Sequence, residues 1–164
     1  MTSTLKTDKI EGVTSSGTVQ MPAGAVLQVL QTTVTAITTT NTSVNSSTGL
    51  TVTITPKFSS SKVLVTGKIN SCHNNGAAKH SIYQLYKGGS FLAHIHSYVG
   101  YLGSEIGYNT DWGFDYLDSP STTSATTYDL QWASPSGSGT GYFNNWGTSN
   151  NTTRSTMTVF EIAG

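Results

Sequence analysis

The sequence predicts an all-β fold, an antiparallel β-sandwich, and three observations carry that prediction. Short apolar segments alternate at period two, as in Leu50-Thr-Val-Thr-Ile54 and Thr156-Met-Thr-Val-Phe-Glu-Ile162, and a period of two puts every apolar side chain on one face of an extended chain. Clusters of Gly, Asn, Ser and Pro separate these segments at the close spacing of sandwich strands. No window of useful length places apolar residues at helical spacing.

Taken in order, residues 1–24 are poor in apolar side chains and carry the breaker-rich Glu11-Gly-Val-Thr-Ser-Ser-Gly17 stretch, so they read as an extended N-terminal arm. Residues 25–164 are enough for one β-domain with a real core. Val26–Val34 reads as a strand with aliphatic residues on both faces. Thr38–Thr48 is polar and turn-like. Leu50, Val52 and Ile54 alternate with threonines until Pro56 ends the strand. Lys62–Cys72 continues the pattern, with Gly67 a bulge or close-packing point. Ile82–Tyr86 and Phe91–Val99 flank Lys87-Gly-Gly-Ser90, and two glycines supply the positive φ of a tight hairpin turn. Trp112, Phe114 and Tyr116 share one parity, as do Tyr128, Leu130 and Trp132. Ser134–Gly141 reads as a loop, and the chain closes with the strand Met157–Ile162.

Composition narrows the function. Only 10% of residues are charged, and eight basic residues cancel eight acidic ones, so no overall field attracts nucleic acid or an anionic membrane. Ser and Thr together approach a third of the chain, which suits exposed β-structure. Cys72 is the lone cysteine, and the N-terminus lacks the pattern of a secretory signal, so assembly in a cytoplasm is expected. No P-loop, zinc spacing or Ser/His/Asp motif is present, and Gly137-Ser-Gly-Thr-Gly141 lacks the strand-to-helix context of a phosphate cradle. A non-enzymatic protein is therefore expected.

Three constellations stand out. In a regular strand His94 and His96 point to the same side, about 6.8 Å apart, opposite Phe91, Ala93 and Ile95. Both imidazoles would then leave the core, and on a three-fold axis three copies would gather a set suited to a transition metal. The plainer reading is a pair of solvated or interface histidines. The later aromatic and amide residues form the second group. Parity assigns Trp112, Phe114, Tyr116 and Trp132 to packing, whereas Tyr142, Asn144, Asn145 and Trp146, with Tyr101 and Tyr108, are the expected contacts to a glycan. The third group is acidic: Glu105, Asp111, Asp115 and Asp118 hold half of all acids. They read as loop and strand-edge carboxylates, with a glycosidase pair or a calcium site as the rival readings.

Several segments in order carry a resemblance. Ser3-Thr-Leu-Lys-Thr-Asp-Lys-Ile10, Ser16-Gly-Thr-Val-Gln-Met-Pro-Ala-Gly24, Ile54-Thr-Pro56 with Ser59-Ser-Ser-Lys-Val-Leu-Val65, Leu117-Asp-Ser-Pro120 with Thr123-Ser-Ala-Thr-Thr-Tyr128, and Ser155-Thr-Met-Thr-Val-Phe-Glu-Ile162 resemble tail-fibre-like proteins of marine and cyanobacterial phages. The strand order is similar to the trimeric jelly rolls of the tumour-necrosis-factor and complement type, and His94-Ile-His96 is similar to the metal motif of long tail fibre tips. The resemblance implies a homotrimeric virion protein whose N-terminal arm attaches to other tail or baseplate proteins. Its apical loops would meet a host-surface glycan or outer-membrane component. A head-decoration or head-fibre protein is the first alternative, and a glycan-degrading depolymerase the second. Trimerisation also has a direct reason: Val26–Val34 and Phe91–Val99 carry apolar residues on both faces, and a two-layer sandwich covers only one face of each sheet.

Overall fold

The structure, a computed structural model, describes residues 21–40, 45–74, 79–100, 110–134, 140–145 and 153–164. Its strands are β1 (Val26–Val34), β2 (Thr38–Thr40), β3 (Ser46–Ile54), β4 (Lys62–Asn74), β5 (Lys79–Lys87), β6 (Ser90–Gly100), β7 (Thr110–Asp118), β8 (Thr126–Ala133), β9 (Gly141–Phe143) and β10 (Ser155–Ile162). They form two antiparallel sheets. In the first, β1, β10 and β4 are neighbours, and β4 then pairs with β7 along most of its length and with β9, followed by β2, at its far end. The second runs β3-β8-β5-β6. The arm expected over residues 1–24 lies outside the described residues up to position 20. Gly24 and Ala25 already exchange backbone hydrogen bonds with Ala163, which fixes the entry to β1 beside the end of β10.

The alternation read from the sequence builds the core. Leu50, Val52 and Ile54 of β3 and Tyr128, Leu130 and Trp132 of β8 are buried, as are Tyr83 and Leu85 of β5. Opposite them lie Val63, Val65 and Ile69 of β4 and Met157 and Val159 of β10. Trp112, Phe114 and Tyr116 pack against this cluster from β7, as their shared parity predicts. The hairpin at Lys87-Gly-Gly-Ser90 is present, with Gly88 and Gly89 at φ of 56° and 81°, the two positive values a two-residue hairpin turn of this twist requires. Gly67 is a close-packing point. It sits directly across from Phe114, whose ring fills the space any Cβ at position 67 would occupy.

Two carboxylates, Glu161 and Asp118, lie inside the sandwich. Glu161 shares the inward face of β10 with Met157 and Val159 and is fully buried. Its carboxylate accepts hydrogen bonds from Lys57 N (2.6 Å), Ser61 Oγ (2.7 Å) and Gln28 Nε2 (2.6 Å), tying β10 to β1 and to the turn after β3. At the other edge, Asp118 accepts from Tyr128 Oη (2.6 Å) and pairs with Lys87 Nζ at 2.9 Å. Burial first, and the neighbouring Asp118 second, push the Tyr128 phenol far above its usual range.

The short β2 departs from the turn expected at Thr38–Thr48. Three threonines give no apolar alternation, and the strand forms because β9 supplies its pairing partner.

Candidate functional site

The outer face of β3-β8-β5-β6 gathers polar and aromatic side chains into one connected surface. Asn45 Nδ2 donates to Gln84 Oε1 (2.6 Å) and to Tyr86 Oη (2.7 Å), and the Gln84 amide meets His94 Nδ1 at 3.1 Å. Phe91, half-exposed, stands edge-on to Tyr86 and to His94, with ring centroids 6.1 Å and 5.0 Å away. On the neighbouring strands Asp129 accepts from Ser47 Oγ (2.6 Å), Thr51 Oγ1 (2.9 Å) and Gln131 Nε2 (2.8 Å). Cross-strand pairing explains the grouping: Gln84 faces Gln131, and Tyr86 faces Asp129. An exposed aromatic edge beside amides, hydroxyls and one carboxylate combines an apolar surface with groups that read hydroxyls.

His94 and His96 do not share a face. The β5–β6 register shifts between Tyr83 and Gln84, so His96 pairs with Tyr83 while His94 pairs with Gln84. Adjacent residues of β5 face opposite ways, and their partners must follow. His94 therefore joins the outer face. His96 turns inward and stacks on Trp112 (4.7 Å, 20°), 6.4 Å from the Tyr83 ring. Burial pushes the His96 imidazole below its ordinary pKa. This corrects the expectation that both imidazoles leave the core together and could close on one transition metal. Among the described residues, no group of three or more His, Cys, Asp or Glu side chains is placed to hold a metal ion.

Around His96 the inner wall is aromatic and holds the lone cysteine. Tyr83 and Trp112, 4.9 Å apart, both approach the buried Cys72. Burial raises the Cys72 thiol to about 12, far from the reactive thiolate form.

Of the expected glycan contacts, Asn144 and Asn145 are buried, which removes them from the surface of the chain. Asn144 is a clamp: its Nδ2 donates to Val34 O (2.9 Å) and Ala36 O (3.2 Å), and its Oδ1 accepts from Ser155 Oγ (2.6 Å). Tyr142 is half-buried on β9. Tyr101, Tyr108 and Trp146 lie outside the described residues. The residues of this network missed from the sequence are Asn45, Gln84, Tyr86, Phe91, Asp129 and Gln131, which become neighbours only through strand pairing; Gln84 is buried beneath the others.

Of the acidic group, Glu105 lies outside the described residues, and the other three do not form one site. Asp111 accepts from Ser71 N (2.7 Å), beside the positive φ of Ser71. Asp111 and Asp115 lie on one face of β7 four residues apart, about 13 Å along a strand, which exceeds the spacing of glycosidase carboxylate pairs. Asp118 is on the opposite face and committed to Lys87 and Tyr128.

No protein-family model matches the chain, and no curated protein matches it. Among solved structures the chain is similar to one titled "Structure of infectious bursal disease virus Gx strain", at 12% sequence identity and a TM-score of 0.29. That match covers 100% of this chain and 43% of the other.

Proposed function

We propose that this chain is a non-enzymatic virion structural protein of the tail-fibre type, a homotrimeric jelly roll that attaches to a host-surface glycan. The observation that carries the attachment reading is the outer face of β3-β8-β5-β6, where Phe91 and His94 stand in the open beside the Asn45, Gln84 and Asp129 networks. The jelly-roll reading is supported by the two four-strand orders β1-β10-β4-β7 and β3-β8-β5-β6, in which the first and last long strands are neighbours. Each contact is shallow, and repetition on one particle supplies strength, because a tethered second contact becomes effectively intramolecular. The arm at residues 1–24 would anchor the trimer to other virion proteins.

The depolymerase alternative is disfavoured by the separation of Asp111 and Asp115. Purified protein is expected to bind host cells without releasing reducing sugar, and Phe91→Ala to weaken that binding by about tenfold, the loss of one aromatic contact of roughly 1.4 kcal/mol. Release of reducing sugar, or binding unchanged in Phe91→Ala, would overturn this reading.

A further inference from the structure

The outer face of the first sheet carries an apolar row that the other described residues leave partly exposed. Val29 on β1 pairs with Phe160 on β10, Phe160 with Leu64 on β4, and Leu64 with Leu117 on β7. Directly opposed residues point to the same side of a sheet, so the four side chains form one line across four strands, roughly 14 Å at ordinary strand spacing. Val26 and Ile162, paired to each other, extend the patch at one end. Val29 is 50% exposed, Leu117 52% and Val26 54%. Such a row is unlike the rest of this face, where Gln31, Thr158, Thr66 and Asp115 form the next line and Thr33, Thr156, Lys68 and Gly113 the one after.

The charges indicate the occupant. On this face β4 carries Lys62 and Lys68 and the adjacent β7 carries Asp111 and Asp115, while β1 and β10 carry no charge. A face with one sign of charge would fit a partner of the other sign. This one sets a basic column on β4 beside an acidic column on β7, so the basic column of one copy meets the acidic column of the next in the head-to-tail contact that a closed three-membered ring requires. We propose that the Val29-Phe160-Leu64-Leu117 row is the contact surface between copies of this chain. This deepens the homotrimer reading and rests on it.

The test compares the full chain with the double variant Val29→Lys/Leu117→Lys by light scattering on a gel-filtration column. Both positions are half-exposed, so the variant is expected to fold, and far-ultraviolet circular dichroism checks that it does. The expected result is an assembly in the wild type and a 17.3 kDa species in the double variant. Thr53→Lys, on the exposed face of the other sheet, is expected to keep the wild-type mass. If the wild type is an assembly and the double variant retains its mass, the row is not the contact, and the trimer reading survives without it. A single-chain mass for the wild type overturns both. Should the double variant unfold, the milder Leu117→Ser decides: it is expected to raise the dissociation constant at least tenfold, and an unchanged constant contradicts the proposal.

Discussion

Replacing Glu161 by Gln is expected to lower the stability of the fold by about 3 kcal/mol, the cost of losing charge-assisted hydrogen bonds and leaving buried donors without an ionised acceptor. That corresponds to a fall of roughly 6–12 °C in melting temperature for a domain of this size. The carboxylate is fully buried and collects Lys57 N, Ser61 Oγ and Gln28 Nε2. Burial alone would raise its pKa. The hydrogen bonds from Ser61, Gln28 and the backbone of Lys57 and Phe58 outweigh it and hold the carboxyl below its ordinary value of 4.5. The sign for pH follows. A group whose folded pKa is depressed contributes stability that is complete above its unfolded pKa and is lost as pH falls through the folded one. Wild-type protein should therefore lose stability on acidification from about pH 4.5 downward, and Glu161→Gln should lose less over that window while starting lower. Chemical denaturation at a series of pH values measures both. Equal acid slopes in the two proteins would show that Glu161 is not the linked group.

Asn144→Ala is expected to destabilise by a similar amount, about 3 kcal/mol, from two sources. Removing the amide leaves Val34 O, Ala36 O and Ser155 Oγ without their partner. The backbone at φ 60° is also tolerated by Asn and unfavourable for Ala by about 1 kcal/mol. Asn144→Gly should therefore recover about 1 kcal/mol relative to Ala by relieving the backbone alone. Thermal denaturation separates the three proteins. The position also distinguishes two roles: a clamp changes melting and leaves host-cell binding by the folded protein unchanged, whereas a receptor contact would do the reverse. The bonds it makes link the end of β9 to the chain leaving β1 and to the start of β10, and Ser155 Oγ in turn accepts from Asn70 N on β4.

These residues show where the sequence was legible. Strict alternation at Leu50–Ile54, the shared parity of Trp112, Phe114 and Tyr116, and the glycine pair at 88–89 are local signals, and the structure places each as expected. The inward placement of Glu161 was legible too, since Met157, Val159 and Glu161 share one parity. Its chemistry was not, because the three donors come from residues 100 or more positions away. Asn144 escaped for the same reason: its amide partners lie 108 and 110 residues earlier. His94 and His96 failed differently. Period two holds only while the register is regular, and one shift opposite Tyr83 and Gln84 sends the two rings to opposite faces. The candidate contact face was hidden because its members come from β5, β6, β8 and the entry to β3, each unremarkable alone.

An assembled trimer, with its sandwich faces shared between subunit contact and surface display, is the proposal on which the others rest. Absolute mass by light scattering on the purified full chain tests the trimer. Three times the 17.3 kDa of one chain is expected. A homogeneous 17.3 kDa species at working concentration would contradict it.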